Sequence, residues 1–266
     1  MIGRAIGSAF AAARDFLARL LVRLRVLPNS LTLIGMVLTA VAGVCFAIGS
    51  GSRFHTEWAP DDWANRYLFL AGALLILSSA CDMLDGAVAR LGKLNTRFGA
   101  FLDSTLDRYS DFAVFAGIAV HYALVSPANI TFLLLSMVAF FNASMISYAK
   151  ARAEDIIEHC DVGYWQRGER TTAILIAAFS CNIPALVVQQ AVLPMLTALR
   201  RIFYTKSIID GRAPITDPRK GGLWLKVRLW RWPRMTVPYD IVTALNIAWL
   251  LFVPVPACDL IRRWAM

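Results

Sequence analysis

Two pairs of aspartates lie close together near the middle of the chain. Asp82 and Asp85 are three residues apart, and Asp103 and Asp107 are four apart. Residues at these spacings share one face of an α-helix, so each pair presents two carboxylates side by side. Carboxylate oxygens are ligands that Mg²⁺ and Mn²⁺ prefer, and two such ions held together assist phosphoryl chemistry. The aspartates therefore predict a divalent metal site, with two ions, that acts on a phosphate.

These aspartates belong to a strongly apolar chain. Of its 266 residues, 58% are hydrophobic, and the mean hydropathy is +0.57. Because a membrane-spanning helix needs about 20 mostly apolar residues, the long apolar runs predict an all-α integral membrane protein. The predicted membrane helices are 31–50, 66–90, 96–124, 130–151, 167–180, 184–203 and, as an additional C-terminal helix, 239 to about 259. Residues 1–27 place arginines and apolar side chains on different faces, which predicts an amphipathic helix in the membrane interface.

The basic residues favour one side of this arrangement. If the N-terminus lies in the cytoplasm and the helices alternate in direction, 23 of the 27 Lys and Arg residues fall on the cytoplasmic side. This bias predicts that the aspartates, near the connection between the second and third helices, face the cytoplasm. Topology and anionic membrane lipids account for most of the positive charge. No basic stripe lies on a soluble module, so binding to nucleic acid is not expected.

Four carboxylates near one membrane surface repel one another, and each is costly to bury unpaired. Protonation, a bound divalent cation, or ion pairs with the arginines between 90 and 108 would relieve this repulsion. Ion pairs alone leave the small residues Gly86, Ala89 and Gly99 unexplained, since these remove side chains beside the acids. Small residues at these positions leave room for a ligand, which favours the metal site.

The same stretch resembles the signature of a known family. Residues 82–107 match, at every fixed position, the pattern D-x2-D-G-x2-A-R-x8-G-x3-D-x3-D of the CDP-alcohol phosphotransferases. The resemblance covers about 28–203. It implies a six-helix membrane bundle that uses Mg²⁺ or Mn²⁺ to transfer a phosphatidyl-type group from a CDP-linked lipid to an alcohol. It divides the chain into an amphipathic helix (1–27), the phosphotransferase domain (28–205), and a basic loop with an extra membrane helix (206–266).

The resemblance also implies roles for individual residues. It makes Asp82, Asp85 and Asp103 metal ligands. Asp107 is implied to be the general base toward the acceptor hydroxyl and a further metal ligand. The residues implied to contact the CDP moiety are Asn29, Thr32, Asp82, Gly86, Ala89 and Arg90.

A second cluster, of lysines and arginines near three helix ends, bears on the acceptor alcohol. Flanking charge at a membrane surface explains any one of them, but several converging near an acidic site favour an anionic acceptor, because Arg binds phosphate well. The runs Lys-Ala-Arg-Ala-Glu at 150–154 and Arg-Gly-Glu-Arg at 167–170 resemble the actinobacterial phosphatidylinositol phosphate synthases, which implies inositol 1-phosphate. The residues implied to hold its phosphate are Lys150, Arg152, Arg167, Arg170 and Arg201.

Three alternatives stay open. A phosphatidylglycerophosphate synthase would use glycerol 3-phosphate, and another relative would use serine or free inositol. A non-catalytic scaffold or a transporter would carry the aspartates without turnover. For the leading hypothesis, the expected partners are CDP-diacylglycerol, a phosphorylated small alcohol, membrane lipids and a second copy in a homodimer. The expected location is a bacterial inner (plasma) membrane.

Overall fold

The computed structural model describes residues 2–51, 63–211, 222–230, 232, 234 and 236–265. The regular structure within these residues is helical. The helices are α1 (Ile2–Arg23), α2 (Pro28–Gly49), α3 (Trp63–Leu91), α4 (Arg97–Leu124), α5 (Ile130–Glu154), α6 (Arg167–Ser180), α7 (Ile183–Ile209), α8 (Leu223–Leu229), α9 (Val237–Phe252) and α10 (Leu260–Ala265).

Helices α2 to α7 form a membrane bundle that confirms the six predicted helices to within a few residues. Within the described residues, four helices are long and apolar enough to cross a membrane: Pro28–Gly49, Asn65–Leu91, Ile130–Glu154 and Ile183–Ile209. Helix α2 packs against α3 and α4, and α5 packs against α4 and α7. The end of the bundle where α3 finishes and α4 begins is called the aspartate end below.

Helices α2 and α4 approach each other closely because glycines face each other at their crossing. A Cβ atom at Gly117 would overlap the backbone carbonyl of Gly43, and a Cβ at Gly43 would overlap the carbonyl of Ala113. Larger residues buried beside this crossing, Phe46, Phe115 and Ile118 among them, belong to the main apolar core. This close packing fixes α4 against the rest of the bundle.

Helix α1 lies along the aspartate end of α3. Ala18 is fully buried against Ala87 and Val88, whereas Phe16 is 63% and Leu20 45% exposed. One apolar stripe thus packs on the bundle and a second stays exposed, as expected for a helix in a membrane interface.

The C-terminal helix is shorter than predicted. It begins at Val237 and ends at Phe252 rather than near Asp259, because Pro254 and Pro256 cannot donate the backbone hydrogen bonds that would continue it. The chain then runs to the far end of α5, where the Asp259 carboxylate accepts hydrogen bonds from Thr131. Residues 52–62, between α2 and α3, and much of the predicted basic loop lie outside the described residues.

Candidate active site

Helices α3 and α4 bring three of the predicted aspartates together. A short turn joins the two helices, and Thr96 caps α4 by accepting a hydrogen bond from the Gly99 N–H at 2.9 Å. One carboxylate oxygen from each of Asp82, Asp85 and Asp103 lies within 4.8 Å of the other two. Three carboxylates this close need protons or a cation between them to offset their repulsion.

The donor set fits a hard divalent cation. All three groups offer oxygen, and Oδ1 of Asp103 is buried without a hydrogen-bond partner among the described residues. The Thr32 hydroxyl donates to Oδ2 of Asp85 at 2.7 Å. Ligating carboxylates are commonly oriented by such a hydrogen bond. Thr32, predicted from the resemblance to contact CDP, therefore touches a candidate metal ligand directly.

Arg167 connects this group to Asp107. Nη1 of Arg167 donates to both carboxylate oxygens of Asp82, at 3.0 and 2.9 Å. Nη2 of the same guanidinium lies 2.6 Å from Oδ1 of Asp107. Asp107 is outside the group of three carboxylates that meet. Of the arginines between 90 and 108, Arg108 forms one long ion pair with Asp107, at 3.9 Å. The main positive charge among these acids therefore comes from the start of α6.

A cavity of about 340 Å³ opens beside Asp107, between α4, α5, α6 and α7. Its walls carry more basic than acidic groups. The basic residues are Arg108, Lys150, Arg167, Arg170 and Arg201, and the acidic ones are Asp107, Asp111 and Glu154. The structure thus brings four of the five predicted phosphate-binding residues to one cavity.

Two arginines of this cavity are almost fully buried. Arg170 is 2% exposed, and its Nη2 donates to Asp111 at 2.9 Å. Its Nε and Nη1 are buried without hydrogen-bond partners among the described residues. Arg201 is 3% exposed and donates to the carbonyl oxygens of Val162 and Ile146. Buried charges are costly unless they are paired, so the free donors of Arg170 suit an anionic ligand.

The two basic residues at the end of α5 point in different directions. Lys150 lines the cavity, where its Nζ lies 2.5 Å from Asp161 and 3.6 Å from Glu154. The Lys150 ammonium holds the pKa of the Asp161 carboxyl below its ordinary value. Arg152 instead pairs with Asp155 at 2.6 Å and borders a separate apolar groove between α5 and α7. The structure therefore does not bring Arg152 to the cavity.

The residues predicted to contact CDP flank the carboxylates. Arg90 and Asn29 are exposed, and Gly86 and Ala89 are partly buried on the last turns of α3. A Cβ atom at Gly86 would lie 3.3 Å from Nη1 of Arg90. The small side chains on this side of α3 leave an open surface next to the acids.

Asp111 contributes to the site and was not identified from the sequence. Asp103, Asp107 and Asp111 follow one another at intervals of four, which is the spacing of one helix face. That regular spacing could have identified Asp111 as a site residue from the sequence. Glu169, which binds the C-terminal segment, carried no comparable signal, because its partners are distant in sequence.

Comparisons with known proteins agree with this geometry. The family model for CDP-alcohol phosphatidyltransferase matches residues 25–203. The phosphatidylinositol phosphate synthase of Mycobacteroides abscessus is 34% identical over 178 residues, which cover 67% of this chain and 73% of that relative. The archaetidylinositol phosphate synthase of Pyrococcus horikoshii is 32% identical over 195 residues, 73% of this chain and 91% of the relative.

Solved structures agree as well. A crystal structure of the Mycobacterium tuberculosis phosphatidylinositol phosphate synthase with CDP-DAG bound has a TM-score of 0.60 and 29% identity, and covers 72% of this chain and 92% of that one. The same synthase in complex with manganese and citrate also has a TM-score of 0.60, with 29% identity, and covers 73% and 89%. This chain therefore belongs to the CDP-alcohol phosphatidyltransferase family and is an integral membrane transferase.

Proposed function

We propose that this chain transfers the phosphatidyl group of CDP-diacylglycerol to inositol 1-phosphate and releases CMP. The observation that carries the proposal is the basic cavity beside Asp107, in which Arg170 is buried with two free donors. A neutral acceptor such as free inositol would leave these donors without an anionic partner, and a phosphate carries more negative charge for them than the single carboxylate of serine. Relatives named as phosphatidylinositol phosphate synthases support the same acceptor.

The acceptor phosphate would lie against Arg170, Arg201 and Lys150. Arg170 has two free donors with which it can form paired hydrogen bonds to phosphate oxygens, while Arg201 and Lys150 contribute positive charge. Ser104, Ser147 and Gln166 also line the cavity and offer hydroxyl and amide groups to a polyol. The cavity volume of about 340 Å³ is within the range of small-molecule sites.

Asp82, Asp85 and Asp103 would hold divalent metal, Mg²⁺ or Mn²⁺, as two ions with Asp107 as a further ligand. Bound metal neutralises the diphosphate and makes its phosphorus more electrophilic. Thr32 orients Asp85 for this role. Arg167 holds Asp82 and Asp107 in fixed positions relative to each other through one guanidinium.

Asp107 would act as the general base. Its carboxylate takes the proton from the acceptor hydroxyl while that oxygen forms its bond to the phosphorus of the phosphatidyl group. The bond from this phosphorus to the bridging oxygen breaks, and CMP leaves with that oxygen and its electron pair. Gly86, Ala89, Arg90 and Asn29 would contact the cytidine diphosphate on the open side of α3.

The aspartate end would face the cytoplasm of a bacterial cell. In the described helices, Arg90, Arg167 and Arg201 lie at this end, whereas Arg262 and Arg263 lie at the other. The basic bias along the whole chain supports this orientation. A homodimer stays a prediction, which light scattering on the detergent-solubilised protein would test.

An acceptor panel tests the proposal. Purified protein receives CDP-diacylglycerol, Mg²⁺ or Mn²⁺, and one acceptor at a time: inositol 1-phosphate, glycerol 3-phosphate, free inositol or serine. We expect CMP release with inositol 1-phosphate only, and none after EDTA is added. Product formation from glycerol 3-phosphate alone would refute inositol 1-phosphate as the acceptor, and it would still be consistent with membership of the family. No CMP release with any acceptor would favour a non-catalytic role.

A further inference from the structure

Described residues of the C-terminal extension (206–266) contact the first turn of α6 from outside the region that the family model matches. Residues 25–203 match that model, whereas α9 begins at Val237. The Tyr239 hydroxyl donates to Oε1 of Glu169 at 2.6 Å. Arg234 donates to the same oxygen, with its Nε at 3.0 Å and its Nη2 at 2.8 Å. Two residues of the extension therefore bind one carboxylate in the first turn of α6.

That first turn also carries two basic residues of the cavity. Arg167 and Arg170 are three apart and share one helix face, while Glu169 lies on a different face. Arg167 contacts Asp82 and Asp107, and Arg170 contacts Asp111. The turn is therefore held on one face by the active site and on another by the extension.

The start of α6 needs such support. Its N-cap residue, Gln166, makes no side-chain capping hydrogen bond. The first backbone N–H groups of a helix have no partner within the helix, so an uncapped first turn frays readily. The Glu169 carboxylate, 7% exposed, is turned toward Tyr239 and Arg234. A negative charge near a helix N-terminus is also stabilising.

Described residues of the extension also bind the bundle at two further places, so the extension can hold this position. The side-chain amide of Asn182, at the far end of α6, donates to the carbonyl oxygens of Leu250 and Val253. Asp259 binds the start of α5 through Thr131. The contact with Glu169 is therefore one of several contacts that hold the described part of the extension against α5 and α6.

We propose that Tyr239 and Arg234 are positioning residues, which hold the first turn of α6 through Glu169 so that Arg170 faces the acceptor phosphate and Arg167 stays on Asp82 and Asp107. The proposal rests on the proposed function of the cavity. It predicts that loss of the contact weakens acceptor binding and leaves binding of the CDP-lipid unchanged.

The test compares Tyr239→Phe, Arg234→Ala and Glu169→Ala with the wild-type protein. We expect each variant to raise the KM for inositol 1-phosphate roughly tenfold, as for loss of a charge-assisted hydrogen bond, while the KM for CDP-diacylglycerol stays within about twofold. The double variant Tyr239→Phe/Glu169→Ala should have no larger effect than Glu169→Ala alone, because Glu169→Ala already removes the acceptor of the Tyr239 hydroxyl. Hydrogen exchange should become faster at the amides from Arg170 onward in the first two turns of α6, where the helix hydrogen bonds begin, and stay unchanged in α2.

Asp259→Ala is the matched control, because it loosens the opposite end of the extension and leaves Glu169 in place. An unchanged acceptor KM in this variant supports the proposal. An equal rise of the acceptor KM in Asp259→Ala would show that the general packing of the extension, rather than the Glu169 contact, determines acceptor binding. That result would overturn the proposal.

Arg234 is 63% exposed, so Arg234→Ala should fold even if another variant does not. If this variant keeps the wild-type KM for the acceptor and the wild-type rate of hydrogen exchange in α6, the proposal is overturned. If the wild-type protein uses another acceptor, the proposed function fails, and the same KM comparison with that acceptor still tests the positioning role.

Discussion

Arg170→Lys tests the acceptor site at its most buried cation. Arg170 is 2% exposed, its Nη2 binds Asp111, and its Nε and Nη1 have no partner among the described residues. Lysine keeps the charge and can keep the contact with Asp111, but it lacks the planar fork that offers the other two donors. The substitution therefore removes hydrogen bonds to the acceptor phosphate and keeps the positive charge.

The expected magnitude follows from those lost donors. One hydrogen bond to a charged group contributes about 1.5–3 kcal/mol, which corresponds to a decrease of about 10- to 150-fold in kcat/KM for the acceptor. The assay is steady-state CMP release with inositol 1-phosphate varied at saturating CDP-diacylglycerol. The KM for CDP-diacylglycerol and the thermal unfolding temperature in detergent report whether the fold is retained.

Arg152→Lys is the matched control. Arg152 pairs with Asp155 outside the cavity, so the same substitution there should leave kcat/KM for the acceptor within about twofold. A wild-type kcat/KM in Arg170→Lys, or an equal loss in Arg152→Lys, would refute the assignment of the acceptor phosphate to this cavity.

Three further substitutions test other parts of the site and fold. Asp107→Asn should abolish CMP release and leave CDP-lipid affinity largely unchanged, since an amide cannot accept the proton; turnover at a normal rate would rule out Asp107 as the base. Thr32→Val removes the hydrogen bond to Asp85 and should weaken Mn²⁺ binding, measured by calorimetry, by about 10- to 100-fold; unchanged affinity would contradict the orienting role. Gly117→Ala forces α2 and α4 apart at Gly43 and should destabilise the protein by about 1–3 kcal/mol in detergent unfolding, whereas Gly222→Ala, where a Cβ meets no atom of the described residues within 4 Å, should not.

The carboxylate cluster could be predicted because it depends on local spacing. Asp82 and Asp85 share a helix face, and the short turn to α4 brings Asp103 alongside them. The double contact of Arg167 could not be predicted in this way. It depends on how α6 packs against α3, and these two helices are far apart in the sequence.

Two differences from the sequence predictions have simple causes. Lys150 and Arg152 are two apart on a helix, so they point about 200° apart and cannot face the same cavity. Arg167 and Arg170 are three residues apart, so both can face the cavity. The early end of α9 at Phe252 also had a signal in the sequence, since Pro254 and Pro256 follow it.

The role of the C-terminal extension was beyond sequence reasoning. Tyr239 and Arg234 are ordinary residues of a basic, aromatic stretch near a membrane surface. They gain a role through contact with Glu169 in the first turn of α6. Only the packing of α9 against α6 brings them there.

A competition experiment tests the central claim most directly. Purified protein is given CDP-diacylglycerol, Mn²⁺ and an equimolar mixture of inositol 1-phosphate, glycerol 3-phosphate, free inositol and serine, and mass spectrometry identifies the lipid products. The account predicts phosphatidylinositol phosphate as the main product, with CMP formed in equal amount and both lost in Asp85→Asn. A different main product, or transfer that persists without divalent metal, would contradict it.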